Sequence, residues 1–108
     1  MQTVMDRLLS QLGICKKAGK LVQGFDAVSD AAQNKTLHLI VTAKDFSPKS
    51  QKEIAYVAQQ THTALLAMPV GMADVERMMG RRYGVLGISD QGLAGSVAGL
   101  VCRANEEE

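Results

Sequence analysis

The sequence predicts an α/β protein, a three-layer α/β/α sandwich around a mixed four-stranded sheet. Three observations predict it. Apolar runs of strand length alternate with segments of helical periodicity along the whole chain, with no repeat, linker or low-complexity block between them. The longer apolar runs are nearly continuous, as strands covered on both faces are. The chain has 108 residues, 46% of them hydrophobic, which is enough for one domain with a core and too few for two.

Each element has its own signal. Over residues 3–18, Val4, Leu8, Leu12 and Cys15 recur at steps of four, four and three, one apolar helical stripe. Gly19 suits the left-handed position that closes this helix, and Lys16, Lys17 and Lys20 lie where the dipole favours cations. Leu21-Val22 reads as a short strand. A second helix from Phe25 to about Asn34 buries Phe25, Val28 and Ala32. Leu37 to Ala43 is a β-branched apolar run, an interior strand with a structural His38 at its margin.

Ser47 is a good N-cap and Pro48 suits the first helical position, so a third helix runs from there to about Gln60. Lys49 and Lys52 near its start oppose the helix dipole, a local conflict of the kind that can mark a binding site. Ala64 to Ala67 reads as a third interior strand, ended by Met68-Pro69. A fourth helix spans Met72 to Met79 and stops at Gly80. Arg81-Arg82 connect it to a last strand, Tyr83 to Ile88. Ser89 or Asp90 then caps a final helix to about Cys102, and residues 104–108 read as a frayed acidic tail. Gly92, Gly95 and Gly99 in that helix cost about 1 kcal/mol each against Ala, which close packing of its backbone on another element would explain.

Composition narrows the function. There are two Phe, two Tyr and no Trp, so the core is aliphatic, the six methionines read as gap-fillers, and an aromatic platform for single-stranded RNA is excluded as the main device. Net charge is +1, yet residues 1–52 hold eight Lys/Arg against four Asp/Glu, and residues 53–108 hold four against seven. That division suggests one attractive face and an opposite solubilising one. Cys15 and Cys102 have no metal-ligand spacing, and no signal peptide or long apolar run occurs. The expectation is a cytoplasmic protein with two reduced, half-buried thiols, no cofactor and no membrane partner.

The familiar catalytic motifs are missing: no GxxxxGK, GxGxxG, HExxH or GxSxG occurs. His38 and His62 have no carboxylate cluster beside them, so no general acid–base pair can be assembled and no catalytic or metal-binding residue is assigned. Asp45, after a strand end, is the one lone candidate acid or base, and a turn residue capping the backbone before Ser47 is the simpler reading.

What remains is a set of loops. Gly24 lets the chain turn sharply, so the N–H groups that follow can face open space, and a helix N-terminus left free in this way suits a phosphate. If the sandwich brings Lys20 to Asp26, Lys44 to Lys49 and Gly80 to Tyr83 to one edge, then Lys20, Lys44, Lys49, Arg81 and Arg82 surround two helix N-termini. That constellation fits a phosphate backbone.

Leu12-Gly13, Lys17 to Gly24, Thr42 to Asp45 with Ser47-Pro48, and Gly87 to Asp90 together resemble the kink-turn RNA-binding family of ribosomal proteins, the L-seven-Ae and L-thirty-e superfamily. The chain is more similar to that family's short bacterial members, found in Gram-positive bacteria, and the similarity runs from about Val4 to Val101. The resemblance implies a sandwich that recognises a sharply bent RNA helix with tandem sheared G·A pairs. It matches Gly24 to the family's glycine, Asp26 to its Asn, Ser29 to its Thr, and the Gly80 to Tyr83 connection to the loop that packs on bulged nucleotides. Ala27 stands where the family has Glu, Asp30 where it has Lys, and Gln23 where a basic residue is frequent.

The expectation is therefore a non-enzymatic, ribosome-associated RNA-binding protein. Its contacts would come from Lys20, Gly24, Phe25, Asp26, Ser29, Lys44, Lys49, Arg81 and Arg82. Its partners would be structured RNA, kink-turn-like or ribosomal, with ribosomal or RNA-processing proteins beside it. The alternative is a protein-interaction module of the same fold that has lost kink-turn recognition.

Overall fold

The computed structural model describes residues 3–107. The chain order is α1 (Val4–Lys17), β1 (Leu21–Gln23), α2 (Phe25–Gln33), β2 (Leu39–Thr42), α3 (Pro48–Thr61), β3 (Leu65–Ala67), α4 (Met72–Met79), β4 (Val85–Ile88) and α5 (Gln91–Glu107). The sheet order is β1-β4-β2-β3. β4 is antiparallel to both β1 and β2, whereas β2 and β3 are parallel, with Ile40 opposite Leu65 and Leu39 opposite Ile88. The α/β/α sandwich with a mixed sheet is the architecture read from the sequence.

Alternation along the central strands builds two cores. Leu39, Val41, Leu86 and Ile88 face one side and pack with Leu8, Leu12 and Cys15 of α1, Val75 and Met79 of α4, and Val97 and Val101 of α5. Ile40 and Val85 face the other side, against Val28 and Ala32 of α2 and Ile54 and Ala58 of α3. Period-two alternation puts an apolar side chain on each face of a strand clad on both sides. β3 departs from the expectation. It is an edge strand, half-buried with Ala67 exposed, where the apolar run reads as interior.

Two further expectations change at the C-terminal helix. α5 continues to Glu107 instead of ending near Cys102, because Ala104 extends the buried stripe of Val97 and Val101 and the Asn105 side-chain amide donates to the Ala67 carbonyl at 3.2 Å. Residues 104–107 are thus helical, and Glu108 lies outside the described residues. The α5 glycines are not contact points. A Cβ at Gly95 or Gly99 would meet nothing within 4 Å, since both face an open groove between α1 and α5 that Arg7 and Arg103 also line.

Close approach occurs in and beside β4 instead. A Cβ at Gly84 would lie 2.0 Å from Phe46 Cδ1, and one at Gly87 would lie 2.7 Å from Leu37 Cδ1. Both thiols are free. Cys15 is buried and Cys102 exposed, where both were expected half-buried.

Candidate nucleic-acid interface

Strand directions create the site. β1, β2 and β3 run the same way and β4 runs against them, so the C-terminal ends of three strands and the start of the fourth share one sheet edge. α2, α3 and α4 all begin there. Open α/β sheets bind ligands in the crevice outside the carboxyl ends of their strands.

Backbone hydrogen bonds hold the loops of this edge together. Gly24 N–H donates to Val85 O at 3.1 Å, Ala43 N–H to Gly84 O at 2.9 Å, Lys44 N–H to Val70 O at 2.9 Å, and Met68 N–H to Thr42 O at 2.8 Å. The Phe46 ring covers Gly84. The Tyr83 ring covers Gly24, lying 3.6 Å from where a Cβ would be. The Lys44 to Lys49 segment thus meets Gly84, and Tyr83 meets Gly24, so the loops share one edge of the sheet. A further loop, Met68 to Gly71, joins them, and the sequence reading did not include it.

α4 is pinned at both ends from outside. Asp45 Oδ1 accepts from Met72 N–H at 2.8 Å, so this carboxylate caps the N-terminus of α4 across the loop instead of the local turn before Ser47. At the other end Lys16 Nζ donates to Met79 O at 2.9 Å. Lys16 thus serves the C-terminus of α4, where a cation complements the dipole. These two contacts tie α4 to the β2–α3 loop at one end and to α1 at the other.

Within α4, Asp74 accepts from Gly71 N–H at 3.0 Å and pairs with Arg77. The Gly71 N–H, then Arg77 and the charge of Lys44, hold the Asp74 carboxyl below its usual range, against partial burial. Lys44 therefore lies close enough for α4 to feel its charge.

The other four helices start on a side-chain cap, Thr3, Ser47, Asp45 with Asp74, or Asp90. Among the described residues, α2 alone has no side-chain hydrogen bond at its start. Its N-cap is Gly24 at φ 95° and ψ 158°, backbone that only glycine adopts without strain. The first N–H groups of α2 are thus left for something other than a side chain.

On the loops and helix starts of this edge, Lys44, Lys49, Arg81 and Arg82 are exposed, as is Asp26. Arg82 lies 3.7 Å from Glu76, with both side chains about half exposed, a pair that leaves the guanidinium available. Ser29 is half-buried and accepts from Gln33. Phe25 packs against the α2–α3 core, so its backbone, not its ring, belongs to the edge.

Lys20 stands apart. Its carbonyl accepts from Ser89 N–H at 3.0 Å, beside the pairing of Leu21 with Ile88, at the opposite end of β1. About 13 Å of extended chain separates it from Gly24. The sequence reading recognised the Leu21-Val22 strand yet grouped Lys20 to Asp26 at one site; β1 carries the two ends to opposite edges of the sheet.

The model of the ribosomal protein L7Ae/L30e/S12e/Gadd45 family matches residues 6–94, which include every loop of this edge. The chain belongs to that family. Two solved structures share the family fold. A Bacillus halodurans protein of unknown function is 23% identical over 88% of this chain and 96% of its own, with a TM-score of 0.81. The Giardia lamblia 15.5 kD RNA-binding protein is 14% identical over 98% of this chain and 91% of its own, with a TM-score of 0.74. No curated protein sequence matches the chain.

Sequence reasoning missed three contributors to this family edge: Tyr83 over Gly24, Asp45 on α4, and the Met68 to Gly71 loop. Gly71 before Met72 and Asp74 was the one available signal, a small N-cap with an acid in the first turn.

Proposed function

We propose that this chain is a non-enzymatic RNA-binding protein whose ligand is a structured, kink-turn-like RNA, and that it works in the cytoplasm in association with the ribosome. The observation that carries the proposal is the uncapped start of α2 at an edge lined by Lys44, Lys49, Arg81 and Arg82. Phosphate oxygens satisfy free N–H groups at a helix N-terminus, and flanking cations hold the adjoining phosphates. Gly24 permits close approach of the RNA to the Phe25 and Asp26 backbone, and Asp26 accepts from a guanine N–H edge. Arg81 and Arg82 reach nucleotides bulged towards the Tyr83 loop. Membership of a ribosomal-protein family and the fold shared with an RNA-binding protein support the reading. Lys20, at the far end of β1, stays outside the proposed contact.

Filter binding against a kink-turn duplex and an unkinked duplex, each at two salt concentrations, tests the proposal. Preferential retention of the kinked RNA with a steep loss at high salt is expected, because phosphate contacts release counterions. Equal, negligible retention of both would refute it. One observation favours a second reading: Ala27 and Asp30 are both exposed on α2, an inert and a repulsive group near the proposed RNA. A protein-interaction module that kept the fold would tolerate them. Partners that survive nuclease treatment in a pull-down would favour that module.

A further inference from the structure

We propose that the outer face of α3 is a second RNA-contacting surface, with Lys49 and Lys52 gripping phosphates and Tyr56 stacking on an unpaired base next to the structured RNA. The proposal rests on the RNA reading above and extends it away from the sheet edge. Lys49, Lys52 and Tyr56 recur at three and four residues, so they share one helical face, turned away from the buried Ile54 and Ala58.

Tyr56 is 63% exposed, unusual for a residue type that ordinarily buries most of its ring. The structure gives its ring no core to serve. Lys49 sits in the first turn of α3, where no acidic residue offsets it and the helix dipole opposes it. Among the described residues, neither Lys49 nor Lys52 is in an ion pair. A shallow concavity runs along this face, lined by Pro48, Lys49, Gln51, Lys52 and Ala55.

Charge and continuity choose the occupant. α3 begins at the same edge as α2, so an RNA strand leaving the α2 N-terminus past Lys44 meets Lys49 first, then Lys52, then Tyr56. Cations tracking a backbone and an aromatic ring further along are the two elements of sequence-tolerant single-strand binding. Glu53, on the flank of the face, is the one opposing charge on this stretch of helix. The aromatic count excludes a platform of several rings. It does not exclude one ring placed where the strand emerges.

Fluorescence anisotropy with two labelled RNAs tests the surface: a blunt kink-turn duplex and the same duplex with an unpaired oligouridine flank. Wild type should prefer the flanked RNA by about five- to 160-fold, the range for stacking one base. Tyr56→Ser should cut that preference at least about fivefold and leave affinity for the blunt duplex unchanged, while Tyr56→Phe, which keeps the ring, should retain it. Lys52→Gln should flatten the salt dependence for the flanked RNA by about 0.7 in the log–log slope. Glu53→Gln should tighten binding of the flanked RNA. Binding of the blunt duplex with no gain from the flank, or a gain that Tyr56→Ser leaves undiminished, would overturn the α3 surface and leave the edge reading standing. Failure of wild type to bind either RNA would overturn both. Binding of the flanked RNA with none of the blunt duplex would support the α3 surface and remove the kink-turn reading.

Discussion

Replacing Gly84 with Ala tests how the loops of the edge are locked together. The new Cβ would lie 2.0 Å from Phe46 Cδ1, 2.5 Å from Cε1 and 2.9 Å from Cγ. Three ring atoms overlap at once, so the whole ring must move, not only its far end. Overpacking of this kind costs about 1–3 kcal/mol. In a domain of this size each kcal/mol lowers Tm by about 4 °C. Phe46→Ala alone removes a half-buried ring and costs about 1–2 kcal/mol by lost apolar burial. In the double variant the clash is gone, and Ala at position 84 adds no further loss; a gain of about 0.4–1 kcal/mol is expected from the stiffer unfolded chain. Urea denaturation of the four proteins should therefore give a coupling of about 1–3 kcal/mol, with the double variant more stable than Gly84→Ala plus Phe46→Ala predicts. Losses that add to within about 0.5 kcal/mol would show that the ring does not sit on Gly84, leaving the Ala43 to Gly84 hydrogen bond as the link between the β2–α3 and α4–β4 loops.

Other outcomes follow from the same contacts. The Asp74 carboxyl is held below its ordinary range by Gly71 N–H and Arg77, so its contribution is present above the unfolded value of about 4 and is lost as pH falls through the lower folded value. Thermal melts at descending pH should show Asp74→Asn less stable than wild type near neutrality and less sensitive to acid; equal acid sensitivity would contradict the assignment. Burial pushes the Cys15 thiol up, with the Asp90 charge adding, whereas Cys102 is exposed. A thiol reagent should label Cys102 at once in the native protein and Cys15 only on unfolding. Asp30→Lys should tighten RNA binding by placing a cation beside α2, at a slight cost in Tm. Unchanged affinity with a lowered Tm would place the RNA elsewhere.

Much of this architecture was legible because each helix start carries its own chemistry. Ser47-Pro48 sets the start of α3 and Gly80 the end of α4 to the residue, since an N-cap, an N1 proline and a left-handed C-cap are local features. β3 was misplaced to the interior because Leu65 and Leu66 look the same at an edge as at the centre, and strand order is a tertiary fact. The end of α5 was misplaced because the terminal glutamates masked a stripe that continues from Val101 to Ala104. The edge itself was half-legible. Gly24, Lys44 and Arg81 follow from strand ends, but Lys20 was grouped with them although Leu21-Val22, read correctly as a strand, carries it to the opposite edge of the sheet. The Asp45 bond to Met72 spans 27 residues, and no local pattern announces it.

RNA binding where α2 begins is the feature on which the other contacts depend. Amide chemical shifts of the labelled protein, followed as a kink-turn duplex is added at low salt, test it residue by residue. The largest changes are expected at Phe25 to Ala27, with smaller ones at Lys44 to Lys49 and Gly80 to Gly84, and none at Lys20 or Ser89. Changes confined to the α1–α5 groove around Gly95 and Gly99, or to the Lys20 edge, would contradict it.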